Sequence, residues 1–86
     1  MRLRFTDDGW DDYTYWATHD RKMLLRLNKL ITDTRRHPFS GIGKPEPLKH
    51  GAAGAWARRI TEEHRLVYQV DDDGDLVIAQ ARFHYS

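Results

Sequence analysis

The stretch Pro38-Phe-Ser-Gly-Ile-Gly-Lys-Pro-Glu-Pro-Leu48 holds all three prolines of the chain and two of its six glycines. Proline has no N–H to donate and a fixed φ, so this stretch supports neither a helix nor a central strand. It reads as a stiff surface loop that divides the chain. Residues before it follow helical spacing, and residues after it follow strand alternation.

On the N-terminal side, Arg2 to Phe5 alternates polar and apolar residues, which predicts a short strand. Thr6, Asp7 and Asp8 then supply a helix N-cap and first-turn acids that suit the positive end of the helix dipole. Trp10, Tyr13, Trp16 and Ala17 recur at three- and four-residue spacing, placing three large rings along one helix face. Asp20 caps a second helix with a stripe of Leu24, Leu27, Leu30 and Ile31, closed by Arg35, Arg36 and Pro38.

Beyond the loop, Gly51 and Gly54 bound a small-residue stretch before Ala55 to Thr61, where Trp56, Arg58 and Ile60 alternate against Ala57, Arg59 and Thr61. Glu62-Glu63 turns into a strand from Arg65 to Val70, and the Asp71 to Asp75 run turns into another from Leu76 to Phe83. The predicted fold class is α+β, ordered β-α-α-β-β-β, with two helices on one face of an antiparallel twisted sheet. At 86 residues this is one domain spanning residues 1–86, able to bury roughly 60 to 65% of its unfolded surface.

Composition narrows the function. There are no cysteines, which excludes disulfides, thiolate metal sites and a cysteine nucleophile. His19, His37, His50, His64 and His84 form no His-x-x-x-His pair, and Gly74 stands fourth in the acidic run where a calcium-binding loop needs it sixth. Gly41-Ile-Gly43 follows a helix and precedes prolines, unlike a nucleotide-binding loop. We therefore expect no metal and no cofactor. The first residues lack a signal-peptide stretch and no run of about 20 apolar residues occurs, so the expected setting is the cytoplasm, without a membrane.

The net charge of +1 conceals segregation. Seven basic residues (Arg35, Arg36, Lys44, Lys49, Arg58, Arg59, Arg65) face three acids (Glu46, Glu62, Glu63) between Arg35 and Arg65, a local balance of +4 that leaves −3 elsewhere. Such a stretch attracts phosphates, or is simply a solvated surface. Lys44, Glu46, Lys49, Arg59, Arg65, His84 and Tyr85 carry complementary chemistry. RNA cleavage by internal transesterification needs a base for the 2′-hydroxyl proton, cations for the crowded phosphorane and an acid for the departing 5′-oxygen. Glutamate, arginine or lysine, and histidine suit these tasks. The plainer alternative is a solvated Glu46, a wet sheet face carrying Arg58, Arg59 and Arg65, and a frayed end at His84 and Tyr85. Trp10, Tyr13, Trp16, Trp56 and Tyr68 are expected to be core rather than base-stacking platforms.

The motifs Trp10-Asp-Asp-Tyr13, Pro38-Phe39, Gly41-x-Gly-Lys-Pro-Glu-Pro-Leu48, Trp56-x-Arg-Arg-Ile60, Glu63-His-Arg-Leu-Val-Tyr68 and Arg82-Phe-His-Tyr85 resemble the Txe/YoeB toxins. The resemblance implies a RelE-superfamily, microbial-ribonuclease-like fold. It also implies an endoribonuclease that cleaves mRNA at the codon in the A site of the 70S ribosome, leaving a 2′,3′-cyclic phosphate and a 5′-hydroxyl. Glu46 would then be general base, Arg65 the phosphorane stabiliser and His84 general acid, with Tyr85 positioning the scissile phosphate. Lys49 and Arg59 would hold backbone phosphates, with Lys44 and Arg58 in the same basic set. A YefM-type antitoxin and a homodimer are the implied partners. The competing function is a module that occupies the A site and blocks translation without cutting. Ala57 stands where the family commonly has serine, Phe83 where it has tyrosine, and Ser86 extends past the usual terminal tyrosine.

Overall fold

The computed structural model describes residues 1–51 and 53–84. Its elements run β1 (Leu3–Phe5), α1 (Asp7–His19), α2 (Arg21–Arg36), β2 (Glu46–Pro47), β3 (Trp56–Arg59), β4 (Arg65–Val70) and β5 (Leu76–Gln80). They form one five-stranded sheet in the order β1-β5-β4-β3-β2.

The capping chemistry sets the helices where the sequence put them. Thr6 is the N-cap of α1 and its hydroxyl accepts from Gly9 N–H at 3.0 Å. Asp20 serves both helices: its N–H donates to the Trp16 carbonyl, ending α1, and its carboxylate accepts from Met23 N–H, starting α2. α2 ends at Arg36 and is capped by His37, the residue before Pro38, as the stop signal requires. Gly9 is obligatory, since a Cβ there would lie 2.2 Å from the Ile78 carbonyl oxygen, so α1 rests directly on β5.

β3, β4 and β5 form the expected antiparallel meander, with Trp56 opposite Tyr68, Arg58 opposite Leu66 and Val70 opposite Leu76. Two features extend the sequence picture. β1 pairs with β5 in parallel, Leu3 opposite Leu76 and Phe5 opposite Ile78, so the sheet is mixed at that edge. Within the proline-rich loop, Glu46 and Pro47 pair with Ala57 and Trp56 as a two-residue edge strand, the one sheet position that tolerates proline.

The core lies between the helices and one face of the sheet, built on Trp16, Leu27, Leu30, Ile31, Ile60, Leu66, Tyr68, Leu76 and Ile78. Burying a leucine such as Leu27 or Leu30, both fully buried, contributes about 1.5 to 3 kcal/mol. Of the rings expected in the core, Trp16 and Tyr68 are buried, and Tyr13 and Trp56 half-buried. Trp10 is the exception: it is 52% exposed and lies over Tyr13 and Phe5, because it occupies the flank of the α1 stripe rather than its centre. A second, smaller apolar cluster of Ala55, Ala57 and Val67, with Leu48 and Ala79 against it, lies on the sheet face away from the helices.

Candidate active site

Register decides which side chains share that second face. Directly opposite residues of an antiparallel pair project to the same side. Glu46 pairs with Ala57, Ala57 with Val67, and Arg59 with Arg65. Glu46, Arg59 and Arg65 therefore stand on one face, around the small floor of Ala57 and Val67. Glu46 and Arg65 are two strands and one two-residue repeat apart, about 12 Å between Cα atoms, a span their side chains can close around one phosphate group.

His84 joins Arg65 through the turn between β3 and β4. Arg65 Nη1 donates to the carbonyls of Thr61, Glu62 and His64, at 2.6, 3.0 and 3.2 Å. His84 Nε2 lies 3.0 Å from the same Glu62 carbonyl, which can only accept, so this nitrogen carries the proton in that contact. The two groups converge on one oxygen although they lie 19 residues apart. Arg65 is 8% exposed, drawn against the turn, whereas Arg59, Glu46, Lys44 and Lys49 are exposed. Tyr85, and the chain end at Ser86, lie outside the described residues.

Arg58 corrects the sequence reading. It is fully buried on the helix side of the sheet, with Trp56 and Ile60, and is not presented to a phosphate. Its guanidinium bonds the Asp33 carboxylate at 2.7 Å, the Tyr68 hydroxyl at 3.1 Å and the carbonyls of His37, Ser40 and Ile42. Asp33 in turn accepts from Ile42 N–H, and Tyr68 donates to the Pro38 carbonyl. Three side chains thus tie down the proline-rich loop from Pro38 to Ile42. Gly41 completes the fit, since its φ is +112° and a Cβ would meet Asp33 Oδ2 at 2.1 Å. From this anchor the chain passes Lys44 in a left-handed conformation, φ 53°, and delivers Glu46 to the edge of β3.

The clamp shifts its own titrations. The bond from Arg58, with that from Ile42 N–H, holds the Asp33 carboxyl below the usual carboxylate value. Burial pushes the Tyr68 phenol up, opposed by its contact with Arg58.

The acidic residues of α1 come closer to the site than the sequence suggested. Asp8, Asp11 and Asp12 line a shallow cavity with Gln80, Arg82 and His84. Asp12 Oδ2 accepts from Ala81 N–H, and burial raises its pKa. Arg82 lies 3.5 Å over the Tyr15 ring and 4.4 Å from the Phe83 ring, so the tail before His84 is packed rather than frayed. Among the described residues no three His, Asp or Glu side chains gather as a metal-binding group, and no helix is long and apolar enough to cross a membrane.

Residues 5–85 match the family described as YoeB-like toxin of bacterial type II toxin-antitoxin system. The chain belongs to the YoeB toxin family. The toxin YoeB of Escherichia coli strain K12 is 58% identical over 85 residues, covering 99% of this chain and all of that one. A solved YoeB/ParE toxin from Agrobacterium tumefaciens superposes with a TM-score of 0.93 at 50% identity, covering 99% of this chain and 100% of that chain. The Staphylococcus aureus YoeB has been solved as a dimer (TM-score 0.89, 41% identity) and in complex with YefM (TM-score 0.87, 40% identity), each covering 99% of this chain and 98% of that chain. The chain is thus the toxin of a toxin-antitoxin module with a RelE-like α+β fold. Departures from the YoeB pattern fall in unlike places: Ala57 is buried in the small apolar floor, and Phe83 is 56% exposed.

Proposed function

We propose that this YoeB-family toxin is a metal-independent endoribonuclease that cuts mRNA in the A site of the ribosome. The observation that carries the proposal is the convergence of Arg65 and His84 on the Glu62 carbonyl, with Arg65 on the sheet face that also holds Glu46 and Arg59. An acid, a base and two fixed cations around one floor meet the needs of phosphodiester transesterification.

In the proposed reaction the Glu46 carboxylate takes the proton of the 2′-hydroxyl. The 2′-oxygen attacks phosphorus, and the bond from phosphorus to the 5′-oxygen breaks. Protonated His84 gives its proton to the departing 5′-oxygen, leaving a 2′,3′-cyclic phosphate and a 5′-hydroxyl. Arg65 stabilises the added negative charge of the phosphorane, and release of its turn carbonyls would turn its donors toward phosphate. Lys44, Lys49 and Arg59, all exposed, grip flanking phosphates, and Tyr85 helps to position the scissile one. Exposed Lys44 and Lys49 flank Glu46 on the loop, which favours a polyanion over a neutral substrate.

The relatives' partners extend to this chain within the same proposal. A YefM-type antitoxin would fold an acidic segment over the basic face, and two copies would pair as a homodimer. Expressing Glu46→Ala with His84→Ala tests the nuclease. Growth arrest that disappears while ribosome association persists supports cleavage. Arrest that survives both changes points to occlusion of the A site instead.

A further inference from the structure

The peptide of Phe83 is held at both ends by adjacent residues of β4 and its turn. Phe83 N–H donates to His64 Nδ1 at 2.8 Å, and the Phe83 carbonyl accepts from Arg65 N–H at 3.0 Å. Phe83 sits at φ 64°, a left-handed conformation that a residue with a Cβ adopts only at a steric cost. Gln80 Nε2 also donates to the Arg82 and Phe83 carbonyls, at 2.8 and 3.3 Å, so the His64 bond is the one that holds the N–H side of Phe83, just before His84 leaves the chain. The His64 ring is itself wedged, edge-on to Trp16 at 4.9 Å and 5.8 Å from the Phe83 ring.

We propose that His64 is a positioning residue for His84, acting as a latch that closes only when its imidazole is neutral. The inference rests on the proposed role of His84 as general acid. A backbone N–H donates, so His64 Nδ1 must present a lone pair, and its proton resides on Nε2. Protonating the ring puts a hydrogen on Nδ1, facing the Phe83 N–H, and the bond is lost. Among the charged and titratable groups linked to the ring's neighbours, Arg65 follows His64 on β4, Glu62 and Glu63 precede it in the turn, Arg82 lies 6.0 Å from the centre of the Trp16 ring, His84 reaches the Glu62 carbonyl, and Asp12 on α1 accepts from Ala81 N–H. The two histidines are thereby set opposite requirements: His84 works when protonated, His64 when it is not. Protonation of the His64 ring thus releases the latch and lowers cleavage.

Two measurements on the full chain test this. The first is an NMR pH titration of the Phe83 amide and the His64 ring, which needs no activity. The amide is expected to shift with the same midpoint as the ring. An amide that stays unmoved while His64 titrates overturns the latch. The second compares single-turnover cleavage on programmed ribosomes across pH for wild type, His64→Leu and His64→Asn. Asparagine places its Oδ1 where Nδ1 stood and does not titrate, whereas leucine keeps bulk without an acceptor. A displaced general acid costs up to about 100-fold, so His64→Leu should lose rate by tens of fold. His64→Asn should recover most of that loss, with its acid limb displaced to lower pH. Equal rates for the two variants, or an unchanged acid limb in His64→Asn, overturn it. A wild-type chain that does not cut at all defeats the nuclease proposal, and the amide titration still decides the latch.

Discussion

Replacing Tyr68 by phenylalanine removes one oxygen from the interior and leaves the ring in place. That oxygen accepts from Arg58 Nε at 3.1 Å and donates to the Pro38 carbonyl at 2.7 Å. The first bond involves a charged donor and contributes about 1.5 to 3 kcal/mol, and the second, neutral bond adds about 0.5 to 1.5 kcal/mol. The ring contact with the guanidinium, 5.7 Å from centroid to Arg58 Cζ, survives and is not lost from the balance. The variant should therefore be destabilised by about 3 kcal/mol. For a domain of this size that corresponds to a fall in Tm of roughly 12 to 24 °C, read by calorimetry or circular dichroism. Cleavage measured well below the new Tm should also fall, since Pro38 is the first anchor of the loop that carries Glu46. A Tm within about 3 °C of wild type would refute the idea that this hydroxyl anchors the loop through Arg58.

Other perturbations follow from the same geometry. Glu46→Ala, at an exposed edge-strand position, should leave stability within about 0.5 kcal/mol while cutting the cleavage rate by about 10²- to 10⁴-fold, checked by paired thermal melts and single-turnover assays. Asp33 has a folded pKa below its unfolded one, so its contribution to stability is present above the unfolded value of about 3.9 and is lost as pH falls through the folded value. Asp33→Asn should accordingly flatten the acid side of the stability curve measured by urea titration at several pH values. Gly41→Ala sets a Cβ against the Asp33 carboxylate at a positive φ, and should lower both Tm and cleavage; an unchanged Tm would show the loop to be laxer than described.

Local signals carried much of the fold. Thr6 and Asp20 set the helix starts, Pro38 the stop, and alternation in β3 to β5 the meander. The parallel pairing of β1 with β5 joins strands about 70 residues apart in the chain, and no local pattern encodes a partner at that distance. The burial of Arg58 was within reach, since alternation puts it on the face of Trp56 and Ile60, and an arginine on a core face needs buried partners. What the sequence withheld was the partner: Asp33 reads as an ordinary polar residue on α2. His64 likewise reads in the sequence as a histidine without a metal companion, within the Glu63-His-Arg motif, because its acceptor role depends on a tail that returns from 19 residues downstream. Glu46, Arg65 and His84 stand out by their complementary chemistry and take their separate roles from the motif resemblance; the face shared by Glu46 and Arg65 became visible only through strand register, and the approach of His84 to Arg65 only through the Glu62 carbonyl.

The most direct test is primer extension on a defined mRNA bound to programmed ribosomes, with the purified chain and its Glu46→Ala variant compared in the presence and absence of ribosomes. A single 5′ end within the A-site codon, present only with ribosomes and missing with Glu46→Ala, is the predicted result. Intact mRNA on stalled ribosomes, or the same cut made by the Glu46→Ala variant, would contradict it.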